Sequence, residues 1–568
     1  ITPYNLPPEM CMTTPYMFLS CIIPGPKNPK GKIDVYLQPL IDELKILWEG
    51  VLTYDISKRQ NFKMKAALLW TINDFPAYGM LSGWSTHGKL ACPICMHKSK
   101  SFWLGKGGKA SWFDCHRCFL PMHHSFRKNK EEFKKGKVDM SKAPERLTGD
   151  QLWLHVSQLP KVTDNSSFEV EGFGEQHNWT KRSIFWDLPY WKTNLLRHNL
   201  DVMHIEKNFF DNVFNTVMDV KGKTKDNVKA RLDLAEHCRR PELELQVSAN
   251  GRVVKPKANY AFTLEQKKAL CEWVKELKMP DGYASYISNC VDMSNATLSG
   301  MKSHDCHVFM ESLLPTAFSG LPEYVWKSLT ELSQFFKALY STVLQEEDLL
   351  KVERNIPIIL CELERIFPPA FFNVMEHLPI HLPREALLGG PVQYRWMYPF
   401  ERFLGKLKKM VKNKACVEGS ICEAYLYMET THFCSYYFES HVSSMRTRSR
   451  RNECEPQNES FQPTLSAFEL QGRPAGKATK RYLSDQEYKA IHLHILLNCT
   501  ELEPYIEFFK QLKREAHSLI SDEELDGLIA NEFDSWFRDN VTNLQLGDVE
   551  HYPYLCQVAM GPLRVVTT

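Results

Sequence analysis

The stretch KMKAALLWTI, Lys63 to Ile72, running into Asn73-Asp74-Phe75-Pro76, decides how the first part of the chain is read. Its apolar and β-branched residues predict a strand, stopped by a turn-forming run. Upstream, Val35, Leu37, Leu40, Ile41, Leu44, Ile46 and Leu47 give a broad apolar face at helical spacing, with Asp34 as the expected N-cap. Earlier still, YMFLSCII, Tyr16 to Ile23, reads as a short buried strand closed by Pro24-Gly25-Pro26. The order strand, helix, strand predicts an open α/β sheet with Asp74 at the carboxyl end of a strand, where chemistry tends to sit. An Asp before Phe-Pro is also a common turn former and helix cap, so Asp74 alone is weak testimony to catalysis.

Outward from this stretch the composition changes. Residues 84–150 are rich in Gly, Lys, Cys, His and Trp, as in a small metal-held module, and end in the basic run Arg127 to Lys137. A helix is expected from about Asp201, with Val202, Ile205, Phe209, Val213 and Val217 on one face. Residues 262–278, 322–343 and 346–366 repeat apolar residues at three- and four-residue steps, which predicts an all-α block within 221–390. Another helix should start near Phe400, in segment 391–440. Residues 441–483 read as a polar, basic linker and 484–568 as a second helical region. The expected core segments are then 1–83 and 151–220, interrupted by the module.

Composition narrows the class. The 568 residues hold 70 Lys+Arg against 68 Asp+Glu, so a globally basic nucleic-acid coat is excluded and DNA contact must come from local patches. No apolar run is long enough to cross a bilayer. Seventeen cysteines, an odd number spread through a large chain, point to a reducing compartment. The start at Ile1, with no signal peptide, reads as that of a fragment. The sequons at Asn165 and Asn178 occur by chance in such a setting.

Four constellations could carry chemistry. Cys92-Pro-Ile-Cys95, His116 and His124 form C-x2-C-x20-H-x7-H, enough for a closed tetrahedral zinc site, with Cys115, Cys118 and His123 as spare ligands. Glu401 opens a helix behind Pro399, followed by Arg402, Lys406, Lys408, Lys409, Lys412 and Lys414. A carboxylate beside a basic helix suits phosphodiester chemistry, although a first-turn Glu is favoured by the helix dipole alone. Asp201 and His204 open the helix noted above, Asp201 as an N-cap and His204 as a core histidine or a ligand. Arg446, Arg448, Arg450 and Arg451 make a cationic cluster in the linker. No phosphate-binding loop, G-x-S-x-G or H-E-x-x-H is present.

The strings IPGPKNPKGKIDVYLQPLIDEL, ALLWTINDFPAYGMLSGWSTHGKLACPIC, LPYWKTNLLRHNLDVMHIEKN, LSGMKSHDCHVFMESLLP and HLPREALLGGPVQYRWMYPFERFLGKLKK closely resemble the transposase of plant CACTA (En/Spm-like) elements, over about residues 1–440. The resemblance implies an RNase H-like, DDE-type domain: a mixed sheet flanked by helices, with a zinc-binding module and a large all-α insertion. It implies Asp74 and Glu401 as ligands of a two-Mg²⁺ site, Asp201 and His204 as a structural D-x2-H motif, and Cys92, Cys95, His116 and His124 as the zinc set. Arg402, Lys406, Lys408, Lys409 and Lys412 would contact DNA. The family's first Asp lies upstream of the stretch matching Pro3 to Pro8, so its absence here predicts a chain truncated at its N-terminus and inactive as it stands. Nuclear localisation, transposon-end DNA and a second element-encoded DNA-binding protein follow as expected surroundings, with no membrane. The other reading is a non-catalytic DNA- or protein-binding remnant.

Overall fold

The structure is a computed structural model; it describes all residues except 9, 135, 165–168, 280–282, 285, 440–441, 443–464, 467–479, 518–519, 545, 547–551 and 568. Asn165 and the Arg446 to Arg451 cluster lie outside the described residues, as does most of the expected linker. The chain divides into two units, Ile1–Met279 with Ala284–Phe433, and Pro280–Tyr283 with Cys434–Thr568.

In the first unit, helix α1 (Ile33–Glu49) buries Ile41 and Leu44 against Phe185, Leu188, Tyr190 and Trp191. Asp34 is not its cap. It sits in the first turn, fully buried, and its carboxylate meets Lys181 Nζ at 2.5 Å and accepts from the Ile184 N–H. Gly50, at φ +100°, ends the helix, and strands β1 (Val51–Asp55) and β2 (Gln60–Met64) follow as an antiparallel hairpin.

The expected strand Lys63–Ile72 contributes only its first two residues to β2. Beyond Met64 the chain stays outside any strand, and Thr71 makes a single parallel bridge to His198, with Thr71 N donating to Arg197 O and Asn199 N to Thr71 O. Side chains stand in for the missing ladder: Leu68 N donates to the Tyr190 hydroxyl, and Asn194 Nδ2 to Leu68 O and Leu69 O. Tyr16–Ile23 is likewise no strand. Thr14–Tyr16 is a 3₁₀ turn, and the backbone beyond it bonds to Ile1 O and the Tyr425 hydroxyl. Among the described residues every sheet has two strands: besides β1–β2, these are β3 (Phe102–Leu104) with β4 (Lys109–Ser111), β5 (Gln246–Val247) with β6 (Val253–Val254), and β7 (Val291–Asp292) with β8 (Thr297–Leu298) in the first unit.

The main core forms around helix α3 (Val202–Val217), whose Phe209, Phe210, Val213 and Val217 are fully buried. Each such side chain contributes roughly 1.5–3 kcal/mol by leaving water. Helices α4 (Glu323–Leu339), α5 (Glu346–Ile366) and α6 (Leu382–Gly389) belong to the same core. So do Cys92, Cys95, Trp112, Phe113 and Cys115, so the Cys-rich segment is part of the helical body and not a detached module. Trp112 N donates to Phe372 O and Ser111 Oγ to Pro369 O, tying that segment to the chain just before α6. Helices α7 (Tyr398–Lys409) and α8 (Val417–Cys434) enclose Met17 with Phe403, Leu407 and Tyr425.

The second unit is a helical bundle of α9 (Asp485–Leu497), α10 (Glu503–Ala516), α11 (Asp522–Leu544) and α12 (Tyr552–Ala559), with Leu496, Tyr505, Phe509, Phe533, Phe537 and Leu555 in its core. Strands β9 (Lys480–Tyr482) and β10 (Val565–Thr567) pair beside it. Ser484 and Glu487 form a capping box at the start of α9.

Candidate metal centre and carboxylate site

The knuckle Cys92-Pro-Ile-Cys95 is closed by Cys95 N on Cys92 Sγ and by Met96 N on Cys92 O, which turns both sulfurs to one side. Facing it is a turn of helix, Val374–His377, capped by Asn373 and Glu376, that continues through the 3₁₀ turn Leu378–His381. Residues four apart on such a path share a face, so His377 and His381 point the same way. Cys92 Sγ lies 3.4 Å from His381 Nε2, and Cys95 Sγ lies 3.4 Å from His377 Nε2 and 3.3 Å from His381 Nε2. The two Nε2 atoms are 3.3 Å apart. All four side chains are buried, and their ligand atoms lie within 4.8 Å of one another.

These spacings fit zinc. Bonds of about 2.3 Å to sulfur and 2.05 Å to nitrogen in a tetrahedron give edges of about 3.5 Å for S to N and about 3.3 Å for N to N. Burial disfavours the Cys92 thiolate, yet the Cys95 S–H and the His381 and His377 rings together outweigh it and hold Cys92 well below the ordinary thiol range. Cys95, bonded to that thiolate and buried, is pushed well above it. One sulfur of the pair, that of Cys92, is thus favoured as the anion, the form in which sulfur binds zinc.

Of the expected zinc ligands, Cys92 and Cys95 are in this group; His116 and His124 are not. His116 Nδ1 is bonded to Glu364 Oε1 at 2.6 Å, in full burial. Burial takes the His116 imidazole down to about 3 and the Glu364 carboxyl up to about 8, so both groups are neutral. His124 instead caps a short helix, Nδ1 accepting from Phe126 N. Cys118 Sγ donates to Cys115 O, and His123 is exposed. Cys115 Sγ stands 3.6 Å from His377 Nδ1, on the side of that ring away from Cys95; with His116 it forms a second close group around His377. Partners on the far nitrogen fix the orientation of a metal-binding imidazole. The missed ligands carried a signal: His377-Leu-Pro-Ile-His381 is an H-x3-H spacing, the one zinc fingers use, but it lies far outside the Cys-rich segment.

The second site gathers around His204. Asp74 is the N-cap of α2 (Phe75–Ser82), Oδ1 accepting from Ala77 N at 2.9 Å, so the helix-cap reading of this residue holds. Asp201 takes the N-cap position of α3, is buried, and has no partner for Oδ1. Burial pushes its carboxyl up to about 7, against the pull of the Met397 N–H and with the Glu401 charge adding to the rise. Burial lowers His204, while the charges of Asp74 and Glu401 both raise it. The charges of Asp74 and Glu401 thus both act at His204, and that of Glu401 also at Asp201. Asp74 and Glu401 do not belong to either close ligand group among the described residues.

Glu401 is exposed in the first turn of α7. Phe403 and Leu407 anchor the helix, and Arg402, Lys406 and Lys409 form a row along one exposed side. Lys408 and Lys412 are also exposed; Lys406 Nζ donates to Thr14 Oγ1, and Arg402 lies over the Tyr398 ring. Asn178 is buried, donating to Ser85 O and His87 O, which excludes it as a glycan acceptor in the folded chain.

Residues 1–159 match the family described as Transposase family tnp2, and residues 339–453 match one described as a domain of unknown function, DUF4218. The first match supports a transposase-derived protein and suggests DNA as its partner. No curated protein and no solved structure matches the chain. No helix of the described residues is long and apolar enough to cross a membrane.

Proposed function

We propose that the protein derives from a CACTA-group (En/Spm-like) transposase with an RNase H-like DDE core, acting in the nucleus on transposon-end DNA. The observation that carries this reading is the match of residues 1–159 to the family described as Transposase family tnp2.

In this reading Asp74 and Glu401 would hold Mg²⁺, which when bound stabilises the attacking and leaving oxygens of a phosphodiester. The donor set fits in part, since Asp74 Oδ1 caps α2 and only its second oxygen stands outside the cap. Asp201 would stand at the N-cap position of α3, three residues before His204, as a structural part of the motif. Arg402, Lys406, Lys408, Lys409 and Lys412 would hold the DNA backbone, giving salt-dependent binding with little base preference. A second element-encoded protein would then supply recognition of the ends. The test is Mg²⁺-dependent nicking of element-end duplexes; Asp74→Asn and Glu401→Gln should each abolish it, and nicking that survives both would refute the assignment.

The engagement of Asp74 as a helix cap favours a second reading, a DNA- or protein-binding remnant whose Cys/His centre is structural. Salt-dependent DNA binding with no nicking under any Mg²⁺ concentration would select it.

A further inference from the structure

The hairpin β1–β2 holds apolar and basic side chains together in solvent. Its register sets Leu52 opposite Lys63 and Tyr54 opposite Asn61, so these four side chains share a face. That face is open: Leu52 is 74% exposed and Tyr54 58%, and every residue of β2 is exposed. The other face is the rooted one, with Val51, Thr53 and Asp55 half-buried and Ala66 N donating to Leu47 O. A two-stranded hairpin is marginal by itself, and a strand edge left open is unusual unless something covers or repels it.

The charge on the hairpin names what covers it. From Gly50 to Ala66 the cations are Lys58, Arg59, Lys63 and Lys65, and the lone acid is Asp55. Asp55 Oδ1 is engaged in the turn, accepting from Ser57 N, Ser57 Oγ and Lys58 N. That turn carries Lys58 and Arg59 at the tip, Arg59 at φ +50°. None of the four cations is in an ion pair among the described residues. In a protein of net charge +2 this is a concentrated positive projection.

We infer that β1–β2 is a DNA-reading ribbon that enters the major groove of duplex substrate. A two-stranded antiparallel ribbon fits a groove about 12 Å wide, and five residues at about 3.4 Å span roughly 17 Å of it. Lys58, Arg59 and Lys63 meet phosphates or guanine edges. Asn61 has the donor and acceptor that adenine presents, and Leu52 with Tyr54 offers apolar contact to thymine methyls. Nine residues lie between Met64 and Asp74, a reach of at most about 35 Å to the base of the ribbon, and the ribbon adds roughly 17 Å to its tip, so it contacts DNA within about one and a half helical turns of a phosphodiester at Asp74. The inference rests on the DNA-acting reading above and adds base recognition, which the α7 cations do not supply.

The test uses the full chain and compares a duplex of about 30 base pairs with a single strand of equal length, by fluorescence anisotropy over a salt series. Lys58→Ala/Arg59→Ala/Lys63→Ala should weaken duplex binding about tenfold or more at 0.1 M salt and reduce the salt slope by about 2 to 3, one per lost phosphate contact. Melting temperature and zinc content should not change, because the hairpin lies outside every core. Asn61→Ala should keep the slope and flatten the base preference recovered from a random duplex pool. The inference is overturned if the triple variant binds duplex with an unchanged slope, if single-strand binding falls as much as duplex binding, or if the variant changes only self-association. A parallel Lys406→Ala/Lys408→Ala/Lys409→Ala variant separates the claims. Loss there with the ribbon variant intact overturns the ribbon alone, and no DNA binding by the unaltered chain overturns the functional reading beneath it.

Discussion

Cys95 and His377 are 282 residues apart in the chain and 3.4 Å apart in space, Sγ to Nε2. Closing a loop of that length costs conformational entropy that one weak S···N contact cannot offset. The contact persists because Cys92, Cys95, His377 and His381 arrive together on two rigid turns within the main core. A bound zinc would convert that convergence into a clasp between the first and last thirds of the unit.

The protein should therefore purify with about one zinc, and replacing Cys92 or His381 should release it and destabilise the fold by about 4 kcal/mol or more. His124→Ala should keep the metal and lose only a short cap, about 1 kcal/mol. Metal analysis with thermal melting decides it. Zinc lost from the His124 variant but kept by the His381 variant would restore the ligand set expected from sequence.

Buried Glu364 predicts a pH dependence. Its carboxyl is raised by burial to about 8 from an ordinary 4.5, so it binds a proton in the folded chain that the unfolded chain gives up. This contribution is fully present below about pH 4.5 and is lost as pH rises to about 8, amounting to about 3 kcal/mol by pH 7. Glu364→Gln should match the unaltered protein in acid and exceed it at pH 8. Denaturant titrations across that range measure it, and parallel curves would show that the carboxyl ionises freely.

Asp34 and Lys181 form a buried ion pair at 2.5 Å. Lys181→Met should cost about 3–5 kcal/mol by leaving Asp34 charged and unpaired. Adding Asp34→Asn should recover much of that loss, since the amide oxygen still accepts from Ile184 N and the charge is gone. A double-mutant cycle with no coupling would place the cost in packing alone.

The convergence on His204 has a readout free of activity. Asp74 and Glu401 both raise this imidazole against burial, so Asp74→Asn and Glu401→Gln should each move its titration to lower pH, and the pair further. Proton NMR of the histidine ring follows this directly. A His204 titration indifferent to Glu401 would separate α7 from the site.

Local pattern was legible where local physics decides structure. The apolar spacing from Val35 to Leu47 gave α1, and the same spacing gave α3, α4 and α5, because an amphipathic helix makes its hydrogen bonds within the segment. Strand predictions failed at Tyr16–Ile23 and beyond Met64, where the sequence is strand-like but no neighbouring chain supplies a ladder. A helix closes on itself and a strand does not. Asp34 looked like a cap, and what moved it was a lysine 147 residues away.

The sequence by itself determined the helical segments, the sulfur half of the metal centre, the cap at Asp74 and the basic row after Glu401. Only the tertiary structure decided which histidines complete the centre and that His116 pairs with Glu364. The reason is range. Periodicity and spacing report contacts a few residues apart, whereas a ligand set or a carboxylate cluster is assembled by packing between helices, and the core built on α3 carries that information across the chain.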